Sequence, residues 1–210
     1  GVYLLGVSPG TEVKNNLVHD VISHPRLYGG WGLYTDEGSA DIVLENNVVY
    51  NTRTGGFHQH YGKDNRVVNN VFAFSHTPNV IRTRNEDHNS FFFERNIVYF
   101  NNGQLLGSNW QNNNFTLDHN IYWDTSGRPV MFKDKTFTEW QAAGHDRHSV
   151  IANPGFVDAE AGDFTLRADS PVLALGFQPI DLSQVGLYGE DAWVNKPKSM
   201  VRPPFVPPLP

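Results

Sequence analysis

One residue type, returning in one frame, constrains this chain more than any other feature. Asparagines 16, 47, 70, 96 and 120 are spaced by 31, 23, 26 and 24 residues, and each has the same surroundings. Three positions before them stand Val13, Leu44, Val67, Phe93 and Leu117. One and two positions after stand Leu17-Val18, Val48-Val49, Val71-Phe72, Ile97-Val98 and Ile121-Tyr122. A sustained period of this size marks an architecture of stacked repeats. Asparagine suits a one-residue corner between two short strands because it tolerates the left-handed backbone conformation. Its amide can also bond its own backbone or the asparagine of the next coil.

A second element precedes each anchor: Leu33-Tyr34-Thr35-Asp36, Phe57-His58-Gln59-His60, Ile81-Arg82-Thr83-Arg84 and Leu106-Gly107-Ser108-Asn109. Each reads as a strand of alternating faces, with Leu33, Phe57, Ile81 and Leu106 pointing inward and Thr35, Gln59, Thr83 and Ser108 two positions on. Val2 has a matching offset from Asn16, so the pattern is already running at the first residues. Three short strands per unit with no intervening helix predict an all-β chain, a right-handed parallel β-helix of about five coils. A leucine-rich repeat has a similar period but needs leucine spacing that is missing here. An antiparallel sandwich would not hold one residue type in one frame five times.

The coils are expected over residues 1–135. Residues 136–195 read as a helix and an end-covering segment of the same domain, and 196–210 as a proline-rich tail, extended or without fixed structure. The helix signal is Thr136-Phe137-Thr138-Glu139, a capping box, running on through Trp140 and Ala143 to Gly144. The segment after it, with Asn153-Pro154-Gly155-Phe156 and Gly162-Asp163-Phe164-Thr165-Leu166, is expected to cover the open end of the stack.

A formal charge of −6 gives no basic field for a nucleic acid, and no apolar run is long enough to span a bilayer. Neither nucleic acid nor membrane is therefore an expected partner, and the chain reads as a soluble monomer. With no cysteine there are neither disulfides nor thiolate metal sites, which suits a secreted bacterial protein as well as a cytosolic one.

In this register the outward positions form two columns. The first is Tyr3, Tyr34, His58, Arg82 and Gly107; the second is Leu5, Asp36, His60, Arg84 and Asn109. Adjacent coils lie about 4.8 Å apart, so Asp36, His60 and Arg84 would span about 10 Å, the scale of a sugar ring and its neighbours. Loops 22–31 and 85–90, the second carrying Glu86, Asp87 and His88, would wall a cleft, with Trp31 or Trp110 as a stacking platform. Arg82 and Arg84 can equally be read as pairing with Asp36, Glu37 or Glu86 in a surface network. His58 and His60 can be ordinary strand residues, or a metal-binding pair, since residues two apart on a strand share a face. Asp146-Arg147-His148 and His19-Asp20 read as structural polar clusters. No metal or cofactor is assigned.

The strings Gly32-Leu33-Tyr34-Thr35-Asp36-Glu37-Gly38, 55–62 (Gly-Gly-Phe-His-Gln-His-Tyr-Gly), 92–99 (Phe-Phe-Glu-Arg-Asn-Ile-Val-Tyr) and Gly162-Asp163-Phe164-Thr165-Leu166 resemble the C-terminal part of bacterial right-handed β-helix proteins. Over roughly residues 1–190 the chain most resembles glycoside hydrolase family 141, which includes fucosidase and xylanase activities. The resemblance implies further coils ahead of those seen here, secretion or a periplasmic location, and catalytic carboxylates on the exposed face. Asp36 is then the best match, with Glu37, Glu86 or Asp64 as candidates for the second carboxylate.

The expected function is hydrolysis of a plant or algal polysaccharide. Asp36, Glu37, His58 and His60 would be catalytic, and Trp31, Tyr34, Arg82, Arg84, Glu86 and His88 would bind substrate. Two other readings stand beside it. One is a lyase or epimerase acting on uronic acids, with Arg82 and Arg84 neutralising the substrate carboxylate and a histidine or Tyr34 taking the proton. The other is a non-catalytic carbohydrate-binding or structural fragment of a larger protein.

Overall fold

The computed structural model describes residues 1–23 and 28–201, and in it the chain is a parallel β-helix. Three sheets run along the stack. The first orders the strands Val2–Leu4, Leu33–Thr35, Phe57–Gln59, Val80–Arg82 and Leu106–Ser108. The second orders Glu12–Lys14, Val43–Glu45, Asn65–Val68, Phe91–Glu94 and Thr116–Asp118. The third runs from Leu17–Val21 through Val48–Thr52, Val71–Ala73, Ile97–Phe100 and Ile121–Asp124 to the short strand Val150–Ile151. All pairings in these sheets are parallel.

The anchor asparagines form a continuous ladder inside the stack. The side-chain amide of Asn16 donates to Asn47 Oδ1 (2.9 Å), Asn47 to Asn70 (2.9 Å), Asn70 to Asn96 (3.0 Å) and Asn96 to Asn120 (3.3 Å). The second proton of each inner amide goes to a backbone carbonyl of the preceding coil, such as Leu44 O from Asn70 at 2.9 Å. A buried amide with all its donors and acceptors met is stabilising, whereas an apolar residue there would orphan backbone groups on two coils. The left-handed corner expected of the anchors belongs instead to the residue before each: Asn15, Asn46, Asn69, Arg95 and His119 have φ of 56°, 57°, 57°, 52° and 58°. The anchor itself does not take that conformation, and its side chain bonds along the stack.

The ladder ends where Asn120 Nδ2 meets Asp146 Oδ1 at 3.1 Å and its backbone N–H meets Ser149 Oγ at 2.8 Å. Asp146 is fully enclosed and also accepts from Trp140 Nε1 (2.8 Å) and the Tyr122 hydroxyl (3.0 Å). Of the cluster Asp146-Arg147-His148, only Asp146 therefore turns into the core.

Inside the prism, Leu33, Leu44, Val49, Phe57, Val67, Phe72, Val80, Phe93 and Val98 are completely buried. The helix Phe137–Ala142 has the expected capping box at Thr136 and Glu139, and with Phe132 it closes one end of this core through Trp140. The following segment does not cover that end. Its Phe156, Phe164, Val172 and Phe177 pack on Val48, Val71, Ile97 and Ile121, the outward residues of the third sheet. Those positions form an apolar stripe, and a parallel sheet bearing such a stripe must be covered on both faces. The antiparallel hairpin of Phe156–Asp158 and Asp163–Leu166 supplies the cover. A helix, Asp191–Ser199, carries regular structure past Lys196, where an extended tail was expected. The rest of that tail, 202–210, lies outside the described residues.

Candidate functional site

The register of the first sheet decides which side chains share its outer face. Tyr3 pairs with Tyr34, Tyr34 with His58, and His58 with Ile81. The strand in the fourth coil is thus displaced by one residue from the sequence expectation. Val80, not Ile81, is the inward partner of Phe57, and Arg82 aligns with Gln59. Val80 and Ile81 are both β-branched and apolar, so alternation alone cannot say which faces in. The expectation that Arg82 stands on the exposed face is therefore corrected. A one-residue shift reverses every side chain in a strand, and Arg82 is 1% exposed.

The buried Arg82 donates through Nε to Ser90 Oγ (3.0 Å) and through Nη1 to Asn85 Oδ1 (3.2 Å), and its guanidinium lies 5.2 Å above the Phe115 ring. It extends an interior polar column in which Thr35 donates to Gln59 Oε1 (3.3 Å) and Gln59 to Ser90 O (2.9 Å). Trp110, expected as a stacking platform, is also in the core. It is packed against Phe91, Phe115 and Trp140 with its Nε1 donating to Gly107 O at 2.7 Å.

What the outer face does bring together is Trp31, Tyr34, Asp36, Glu37, His58 and His60, joined by Tyr3 and Tyr28. The two carboxylate oxygens of Asp36 each receive a tyrosyl hydroxyl, Tyr3 at 2.6 Å and Tyr34 at 3.0 Å. Partial burial works to raise the pKa of Asp36. The two hydroxyls, the Glu37 amide and the charge of His60 outweigh it and hold the carboxyl below its ordinary value. The same contacts push both phenols up, Tyr3 mainly through its bond to Asp36 and Tyr34 mainly through burial. Asp36 is thus ionised and oriented.

Around it the rings interlock. Tyr34 stacks on His58 with centroids 4.6 Å apart, Trp31 lies 4.4 Å from Tyr34 and 5.5 Å from His58, and Tyr28 meets Trp31 edge-on at 5.6 Å. Tyr3 and Tyr28 are exposed, whereas Tyr34 and His58 are buried beneath their neighbours. Burial first, and then the proximity of His60, push the His58 pKa down to about 4, so the ring is neutral at pH 7. Among the described residues, neither ring nitrogen of His58 nor the Trp31 indole nitrogen has a hydrogen-bond partner. His60 lies beside Asp36 and is held by Thr83 Oγ1 at 2.7 Å from its Nδ1, while its Nε2 is 3.9 Å from Glu37.

The remaining candidates lie apart from this cluster. Arg84, displaced from the column by the shifted register, covers the Tyr61 ring at 5.0 Å. Glu86 accepts the Gly62 amide with both carboxylate oxygens (3.3 and 3.1 Å) and lies 3.4 Å from His88 Nε2. That is a clamp between two coils. Asp64 is a left-handed corner residue accepting from Asn89 at 3.2 Å. Of the loop 22–31 that was to form one wall, residues 24–27 lie outside the described residues, while Trp31 and Tyr28 sit against the face. Tyr3, Tyr28 and Thr83 were not singled out as site residues from the sequence. Tyr3 already stood in the same column as Tyr34 and could have been found there, whereas Thr83 required the corrected register.

No family model, curated protein or solved structure matches the chain. Among the described residues, no helix is long and apolar enough to cross a membrane.

Proposed function

We propose that the outer face of the first sheet binds a plant or algal polysaccharide and hydrolyses it, with Asp36 as the ionised carboxylate and Glu37 as the candidate for the second carboxyl. The observation that carries this reading is an aspartate whose two oxygens are each gripped by a tyrosine, set in a surface of four more aromatic rings. Sugar rings present apolar C–H faces that pack on aromatic side chains, and hydroxyls that pair with carboxylates and imidazoles. The exposed Tyr3 and Tyr28 and the half-buried Trp31 supply the ring surface, and Asp36 and His60 the polar groups.

Glycoside hydrolysis needs one ionised and one protonated carboxyl flanking the bond, with an oxocarbenium-like transition state between them. Asp36 suits the first role, as nucleophile or as base for water, because its tyrosine donors favour the charged form. Glu37, the neighbouring exposed carboxyl 3.9 Å from His60 Nε2, is the candidate for the second carboxyl. The resemblance to family 141 agrees with this reading and extends it to a secreted or periplasmic protein. The lyase or epimerase alternative is weakened on two counts. Arg82 is inside the coil and Arg84 lies on Tyr61, so the pair does not present the carboxylate clamp that chemistry needs. Tyr34, with its phenol pKa raised, is a poor base.

The test is incubation with a panel of plant and algal polysaccharides, following new reducing ends and ultraviolet absorbance together. Reducing ends without an unsaturated chromophore, lost in Asp36→Asn while binding persists, is the expected result. A chromophore would establish a lyase, binding without any product a carbohydrate-binding module, and undiminished hydrolysis by Asp36→Asn would remove the assignment of Asp36.

A further inference from the structure

A second constellation stands elsewhere on the stack. Asp118 closes the last strand of the second sheet, His119 is the left-handed corner after it, and His148 arrives from the connection between the helix Phe137–Ala142 and the strand Val150–Ile151. One carboxylate oxygen of Asp118 is occupied by backbone: Oδ1 accepts the amides of His119 (2.9 Å) and His148 (2.7 Å). This fixes the carboxylate plane and aims Oδ2 at both imidazoles, 2.7 Å from His148 Nδ1 and 3.5 Å from His119 Nδ1. The two rings lie side by side, centroids 4.8 Å apart and planes 21° from parallel. One ligand atom from each of the three residues lies within 4.8 Å of the others.

We infer that Asp118, His119 and His148 form a binding site for a divalent late transition ion such as Zn2+ or Cu2+. Nitrogen and oxygen ligands bind zinc at about 2.0–2.2 Å, which sets the ligand atoms about 3.3 Å apart around a tetrahedral ion. The Oδ2 separations of 2.7 and 3.5 Å straddle that value, and the ligand atoms of the three residues all lie within 4.8 Å of one another, so small side-chain rotations can close the set around one ion. Two imidazoles and one carboxylate favour zinc, copper or nickel over magnesium or calcium, which prefer all-oxygen shells. The remaining coordination positions face solvent, since His148 is exposed and the other two are half-buried. The backbone holding the ligands is itself tied down. Asn120, next to His119, donates its N–H to Ser149, next to His148, so the two histidines are carried on hydrogen-bonded neighbours.

The ion would join the connection after the helix to the last full coil. Its binding is therefore legible as stability and not only as occupancy, since a ligand that binds only the folded state raises the melting temperature.

The experiment is titration of the metal-free protein with Zn2+ by calorimetry and thermal denaturation, repeated with Co2+ by visible absorption. The variants are His119→Gln, His148→Gln and, as a control histidine, His76→Gln, with circular dichroism confirming that each folds. The expected result is one ion per chain, a melting temperature raised by several degrees, and affinity lowered at least tenfold in His119→Gln and in His148→Gln but not in His76→Gln. No saturable binding at millimolar Zn2+, or an affinity that survives either of the first two substitutions, would overturn the site.

Discussion

The Tyr3 hydroxyl and Asp36 Oδ2 lie 2.6 Å apart although 33 residues separate them, because coil stacking sets Tyr3 beside Tyr34 and Asp36 at the end of the same strand. With Tyr34 on the other oxygen, the carboxylate accepts two hydroxyls that strengthen as it ionises.

Removing either donor should therefore raise the Asp36 pKa. Asp36 is depressed in the folded protein, so any activity requiring its charged form is lost as pH falls through that depressed value. Tyr3→Phe and Tyr34→Phe should each move the acid limb of kcat/KM to higher pH, and the double variant further. An unmoved acid limb in both would show that Asp36 is not the group it reports.

His58 carries the opposite pH signature. Its folded pKa of about 4 lies below the 6.5 of the unfolded chain, so the unfolded state binds more protons between those values. Stability is full above pH 6.5 and falls as pH drops from 6.5 to about 4, by about 3 kcal/mol at most. His58→Phe should flatten that part of the urea-midpoint profile. A slope equal to that of the wild type would assign the acid sensitivity to other groups.

The asparagine ladder should be most sensitive in its middle. Asn70→Ala strips hydrogen bonds from the buried amide of Asn47 and the carbonyl of Leu44, and should destabilise by about 3–5 kcal/mol, since each buried orphan costs about 1–3 kcal/mol. Asn16→Ala, at the half-exposed end of the ladder, should cost about 1 kcal/mol. Chemical denaturation of the two variants measures the difference, and equal losses would mean that the ladder is not the source of the stability.

Arg82 should behave as a structural residue. Arg82→Ala leaves a cavity and frees Ser90 and Asn85, with an expected loss of about 3 kcal/mol or more. At temperatures where the variant stays folded, KM for polysaccharide should be unchanged. A large rise in KM with native stability would return Arg82 to substrate binding.

The repeat was open to reading because each coil repeats the same local demand. An asparagine must satisfy the same buried backbone groups, and an apolar residue must fill the same core position, five times over. Period, the apolar residues framing each asparagine and the helix cap at Thr136 are local or periodic properties, and sequence carries them directly. The pairing of His119 with His148, the cover over Val48, Val71, Ile97 and Ile121, and the direction of Arg82 are different in kind. In the fourth coil Val80 and Ile81 are equally apolar, so only contact with Phe57 and Leu106 selects the inward one, and that choice sends Arg82 into the interior and Thr83 beside His60. Side chains in a strand alternate with a period of two, which makes a single-residue register choice invisible to composition yet decisive for the face. Sequence by itself determined that the coils stack; tertiary packing decided which residues of each coil meet.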